Sequence, residues 1–124
     1  MFVIDEEKTI HITRGDTALF SVGATGDGKA YEFAVGDVVR LTVYGKKNCS
    51  DVVLQKDTIV EKECDAVYIL LESEDTKIGE VISKPTDYWY EIELNPETAP
   101  QTIIGYDENG AKVFKLYPEG VKEA

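Results

Sequence analysis

The sequence predicts an all-β fold, a sandwich or barrel of seven to nine short strands. Three observations carry this expectation. Apolar and polar residues alternate in short runs, turn signals fall about every ten residues, and no stretch has the spacing of a helix of useful length. The clearest run is Asp87–Asn95, DYWYEIELN, which reads as a central strand. Tyr88, Tyr90, Ile92 and Leu94 fall on one side of it, and Trp89, Glu91 and Glu93 fall on the other. It holds the single tryptophan of the chain.

The other elements follow in order. Lys8–Arg14 alternates Ile10 and Ile12 with Thr9, His11 and Thr13, and Gly15-Asp16 marks a bend. Thr17–Gly23 places Ala18, Phe20 and Val22 on one face. Asp27-Gly28 is a tight hairpin signal, since glycine accepts the positive φ that such turns require. Ala30–Ala34 is expected as a short strand, Gly36-Asp37 as a bend, and Val38–Gly45 as a strand turning Val39, Leu41 and Val43 inward. Asp51–Lys56 and Thr58–Lys62 read as two weaker strands, and Ala66–Glu72 as a third with Val67, Ile69 and Leu71 on one side. Glu74–Ile78 has room for one helical turn, too short to matter to the core. Thr102–Tyr106 and Ala111–Tyr117 form a closing hairpin, with Asn109-Gly110 expected to supply the two positive φ values of a type I′ turn. Residues 1–7 and 118–124 are expected as flexible ends of a single domain spanning 1–124.

Composition bounds the function. The chain has 124 residues, enough for one domain with its own core. Thirteen basic residues against 24 acidic ones give a net charge of −11, which argues against nucleic acid and anionic membrane surfaces as partners. No apolar run approaches the ~20 residues needed to cross a bilayer. Met1–Lys8 has neither the basic nor the apolar region of a signal peptide, so synthesis and folding are expected in the cytoplasm. In that compartment Cys49 and Cys64 are expected as free thiols, although they flank an expected hairpin and a cross-strand disulfide is geometrically open to them.

Chemistry-bearing patterns are sparse. His11, the single histidine, lies on the polar face of its strand, as a solvated residue of an outer sheet face would. No nucleophile elbow, zinc-protease or phosphate-loop motif is present, and no catalytic, cofactor or metal residues are expected. Glu91 and Glu93 share a strand face about 7 Å apart, a separation that suits glycoside chemistry and equally suits a solvated sheet. Asp107, Glu108 and Asn109 put oxygen ligands in one turn, with Asp5-Glu6-Glu7 as further donors, but the spacing of a calcium-binding loop is missing. Arg14-Gly15-Asp16 spells an adhesion tripeptide and is also simply a bend between strands. Trp89 is the most suggestive residue. If the tyrosine face is buried, Trp89 lies outside and marks an interface together with Glu91 and Tyr44; the alternatives are that the tyrosines lie outside and Trp89 is core, or that a loop covers it. Within the sandwich reading, Tyr88 or Tyr90 also fits a tyrosine corner, and any immunoglobulin similarity is one of architecture. The Cys…Trp…Cys order of antibody domains is absent.

Several runs resemble a family. Ile12-Thr13-Arg14-Gly15-Asp16-Thr17-Ala18-Leu19-Phe20 is similar to the opening of the N-terminal immunoglobulin-like domain of upper baseplate proteins of siphophage tails. So is the run from Asp27-Gly28 through Tyr31-Glu32-Phe33 to Gly36-Asp37-Val38-Val39-Arg40-Leu41-Thr42-Val43. Asp75-Thr76 followed by Tyr88-Trp89-Tyr90-Glu91-Ile92 resembles a later pattern of that family. Pro100-Gln101-Thr102-Ile103-Ile104 and Tyr117-Pro118-Glu119-Gly120 look like parts of prophage-encoded proteins. The resemblance covers roughly residues 9–120 and rests on turn and strand punctuation. It implies an immunoglobulin-like β-sandwich of seven to nine antiparallel strands and a non-enzymatic structural component. Its partners would be other tail or baseplate proteins or further copies of itself, and its place the virion. Baseplate proteins of this kind usually continue into a helical stem, whereas this chain ends after one sandwich, as a stand-alone accessory protein would. A carbohydrate-binding module using exposed aromatics is the alternative.

Overall fold

In the computed structural model, which describes residues 1–26 and 28–120, the alternation along the chain becomes two β-layers around one core. The elements in chain order are β1 (Phe2–Ile4), β2 (Ile10–Thr13), β3 (Ala18–Val22), β4 (Thr25–Gly26), β5 (Lys29–Ala30), β6 (Val38–Lys46) and β7 (Ser50–Ile59). They continue with β8 (Val67–Leu71), the helical turn α1 (Ser73–Thr76), β9 (Thr86–Leu94), β10 (Gln101–Ile104) and β11 (Lys112–Tyr117). The larger sheet runs β1-β2-β11-β9-β6-β7, with β10 beside the C-terminal half of β9. The smaller layer is the β3–β8 ribbon, and β4–β5 is a separate hairpin.

The period of two along each strand builds the core. Ile10, Ile12, Val39, Leu41, Ile92 and Phe114 point from the larger sheet, and Phe20, Val22, Val67, Ile69 and Leu71 point from the ribbon. Both ribbon strands alternate strictly between buried and exposed residues. Their outer face carries Leu19, Tyr68 and Leu70, exposed at 62%, 63% and 48%. No helix among the described residues is long and apolar enough to cross a membrane.

The all-β expectation holds, with several corrections. The larger sheet is mixed: β11 pairs with β2 in parallel, Phe114 opposite Ile10 through Tyr117 opposite Thr13. The two strands lie about a hundred residues apart, so no tight turn forces them antiparallel. Eleven strands stand among the described residues in place of seven to nine, because β1, β4 and β5 are only two or three residues long. Asp51–Lys56 and Thr58–Lys62 merge into the ten-residue β7, whose ladder with β6 runs from Lys46 opposite Ser50 to Val38 opposite Ile59 with one irregularity. Ala30–Ala34 is largely not a strand. Phe33 makes a single bridge to Cys64 and is fully buried, while Asp37 accepts bonds from the Tyr31 hydroxyl (3.0 Å) and the Ala34 N–H (2.9 Å) that hold the segment as a turn.

The expected flexible start contains an edge strand, whose Phe2 ring stacks on Phe20 at 5.5 Å between centroids. At the other end Glu119 is bonded to Arg14 at 3.1 Å, and residues 121–124 of the expected tail lie outside the described residues. Asp27 of the Asp27-Gly28 turn also lies outside them; on its two sides Gly26 pairs with Lys29. The turn before β11 is not type I′. Asp107 and Gly110 exchange backbone bonds of 2.9 and 3.3 Å, and positive φ occurs at Gly110 (94°) but not at Glu108 or Asn109. Cys49 and Cys64 are free thiols. The helical turn matters to the core after all: Thr76 and Ile78 are buried, at 0% and 5% exposure.

Candidate functional site

The face of the larger sheet turned away from the ribbon carries the residues singled out by sequence. Tyr90, Ile92 and Leu94 are buried at 2%, 1% and 7% exposure, so the tyrosine side of β9 is the core side. Trp89, Glu91 and Glu93 therefore lie on the outer face, each half-buried. Neighbouring strands complete three rows across this face. Val52, Tyr44, Trp89 and Val113 stand opposite one another on β7, β6, β9 and β11. Gln55, Thr42 and Glu91 form the next row, and Asp57, Arg40, Glu93 and Thr102 form the third.

The chemistry is graded from row to row. The first is apolar and aromatic. In the second, the Tyr44 hydroxyl donates to the Glu91 carboxylate, and Thr42 is 2% exposed despite lying on the outer face. In the third, the Arg40 guanidinium grips Asp57 in bidentate fashion, Nε to Oδ1 at 2.7 Å and Nη2 to Oδ2 at 3.0 Å. The Tyr44 phenol is pushed far above its usual pKa, first by burial and then by its bond to Glu91, so it is a fixed neutral donor. Burial and the neighbouring Glu91 raise the Glu93 carboxyl. Cys49, in the β6–β7 turn, is raised by burial and by Glu91, which makes it a poor nucleophile.

The three interface candidates thus come together: Tyr44 stands opposite Trp89, and its hydroxyl reaches Glu91. Sequence reasoning missed Val113 and Thr42, which share the face. Their alternation is visible in the sequence, but the pairing of β11 and β6 with β9 is not. Glu91 and Glu93 do share a face, yet the cavities of 680, 570 and 310 Å³ on this molecule are lined by other residues.

The remaining motifs are in structural use. His11 is not freely solvated: its Nε2 lies 2.9 Å from Asp5 Oδ2 and its Nδ1 lies 2.8 Å from the Tyr117 hydroxyl. The Arg14 side chain of the adhesion tripeptide is buried, donating to the Gly79 carbonyl at 2.8 Å and to Glu119. Asp107 of the oxygen-rich turn is bound by the Lys112 ammonium at 2.6 Å, which already supplies the cation. Among the described residues no group of three or more His, Cys, Asp or Glu is placed to hold a metal ion. Tyr90 makes the cross-chain bond expected of a corner tyrosine, but to a remote partner, the Lys8 carbonyl at 2.5 Å. Comparison of the chain with family models, with curated proteins and with solved structures finds no match.

Proposed function

We propose that this chain is a non-enzymatic structural component that works through protein–protein contacts, in the manner of the phage-tail baseplate proteins its sequence resembles. Its fold is read as an immunoglobulin-like sandwich, and its place as the virion. Its docking surface is the outer face around Trp89, Tyr44 and Glu91. The observation that supports this reading is the apolar row Val52–Tyr44–Trp89–Val113, beside the polar rows of Thr42 and Glu91 and of Arg40 and Glu93. A half-buried tryptophan held among strand neighbours offers large contact area at little entropic cost. The Tyr44–Glu91 bond pre-orders the side chains beside it.

Light scattering during size-exclusion chromatography, with the tryptophan emission maximum recorded over a wide concentration range, tests the self-associating form of this proposal. The expected outcome is a defined oligomer whose blue-shifted emission moves red on dilution. The variant Trp89→Ala is expected to keep its thermal transition and lose the oligomer. An oligomer unchanged in Trp89→Ala, or a variant that no longer folds, sinks the assignment of Trp89 to an interface. A carbohydrate-binding module is the second reading, favoured by the placement of Tyr44 directly opposite Trp89 on an open sheet face. It requires a saturable change in tryptophan fluorescence with cell-wall glycans; a flat titration across a glycan panel removes it.

A further inference from the structure

The strand β10 has a partner on one side only. It pairs with β9, and among the described residues no backbone hydrogen bond outside the strand ladders involves Gln101–Ile104. Which of its groups face outward follows from the ladder. The Asn95 N–H donates to the Val38 carbonyl at 2.7 Å and so points toward β6, while the Asn95 carbonyl turns back to accept from Thr98 and Ala99; the Leu94 carbonyl, opposite that N–H in the same peptide, points away from β6. By alternation the backbone groups of Glu93 point toward β6, and those of Leu94 and Ile92 point toward β10. Leu94 and Ile92 stand opposite Gln101 and Ile104, whereas Thr102 stands opposite Glu93. The N–H and C=O of Thr102 therefore project from the open edge. The register shift between Thr102 and Ile104 sets Ile103 apart as the extra residue.

A trough follows this edge. A cavity of 570 Å³ is lined by Ala24, Tyr31, Leu94 and Gln101–Ile103. A second, of 310 Å³, shares Thr102 and Ile103 with it and extends to Lys8, Asp107 and Lys112. Those last three residues also line the 680 Å³ basin that holds Glu6 and Glu7. The trough is thus apolar at the Tyr31 end and acidic at the Glu6–Glu7 end. Glu6, Glu7 and Lys8 are exposed and enter none of the ion pairs among the described residues, whereas Asp107 and Lys112 neutralise each other, so the basin keeps one net negative charge.

We infer that this trough takes an extended segment of another protein by strand addition. The segment lies along β10, exchanges backbone bonds with Thr102, sets apolar side chains toward Tyr31 and Ile103, and places basic side chains near Glu6 and Glu7. Unpaired strand groups call for another strand, and a flanking groove supplies room for its side chains. A second copy of this chain is the poorer occupant, because it brings its own net charge of −11 toward an acidic basin. This site meets the Trp89 face at Thr102 and Val113, but the backbone edge that carries it involves none of Trp89, Tyr44 and Glu91, so it is tested separately from that proposal.

The test uses the full chain labelled with nitrogen-15 and capped synthetic peptides of alternating valine and threonine. One ends in two lysines and one in two glutamates, each made in both chain orders. The expected result is saturable shifts of the Thr102 and Ile103 amides and slowed exchange at Thr102. The better lysine peptide should bind about tenfold more tightly than either glutamate peptide. Thr102→Pro removes the outward donor while leaving the β9 ladder intact, and should abolish binding; Trp89→Ala should leave it unchanged. As a check independent of mutant folding, a lysine peptide N-methylated at alternate backbone positions should not bind the wild-type chain. Absent shifts at Thr102, equal binding of lysine and glutamate peptides, or undiminished binding of the N-methylated peptide would each overturn the inference.

Discussion

Thr76 shows how much one side chain decides. Its hydroxyl accepts from the Gly15 N–H at 2.9 Å and donates to the Asp16 carbonyl at 2.8 Å, while the Ser73 hydroxyl bonds the Gly15 carbonyl at 2.7 Å. The helical turn and the bend after β2 are thereby bolted together, and Gly15 takes a positive φ of 85° within that clamp. Thr76→Val keeps the shape but leaves the Gly15 N–H unmet. The expected cost is about 1–3 kcal/mol, read from urea unfolding midpoints, and an unchanged midpoint would show that water replaces the hydroxyl. Nothing local in Asp75-Thr76-Lys77 signals this role, because Gly15 and Asp16 lie some sixty residues away in sequence. His11 teaches the same lesson. Its place on the polar face is legible from alternation and its bond to Asp5 is local to the β1–β2 hairpin, but its bond to Tyr117 exists only because β2 and β11 are neighbours.

At the scale of elements, β11 is the keystone, pairing in parallel with β2 on one side and antiparallel with β9 on the other. Its Phe114 is fully buried at the centre of that arrangement. Phe114→Ala is expected to cost about 3–5 kcal/mol through lost burial and the cavity left behind. Tyr106→Ala, in the segment linking β10 to β11 and 76% exposed, should fall within about 0.5 kcal/mol of wild type. Denaturant titrations of the two variants side by side check this, and comparable losses would contradict the layer assignment. The strand nature of β11 was legible from Val113, Phe114, Lys115 and Leu116. Its partners were not, because a strand's alternation specifies which face is buried but not which strand lies beside it.

The whole molecule is strongly acidic, and its pH response should have two limbs. A bond from His11, aided by the Thr9 N–H, holds Asp5 below the usual carboxylate range; Arg40 does the same for Asp57, and Lys112 for Asp107. Asp37 is also lowered: burial acts upward, but bonds from Ala34, Asn95 and Tyr31 outweigh it. Each of these groups has a folded pKa depressed below its ordinary value of 3.8, so its contribution is present above that pH and is lost as pH falls through the folded value. Glu93 has the opposite sign. Its folded pKa is raised above 4.5, so protonating it favours the folded chain. With a net charge of −11, mild acidification also relieves self-repulsion. Stability should therefore hold or rise slightly from neutrality to about pH 5 and fall below about pH 4. Urea midpoints at stepped pH check this, and a rise continuing to pH 3 would rule out the depressed carboxylates as contributors.

The sequence by itself determined the all-β class, the inward face of most strands and the companionship of Trp89, Glu91 and Glu93, because each follows from side chains alternating along a single strand. It also showed the net charge of −11. The tertiary structure alone decided that the tyrosine side of β9 is the core side, that Tyr44 and Val113 flank Trp89, that β11 runs parallel to β2, and that the Thr102 backbone groups point away from β9. These are matters of which strand lies beside which. Strand neighbours are chosen by packing and backbone pairing across the whole chain, and no local pattern of residues encodes that choice.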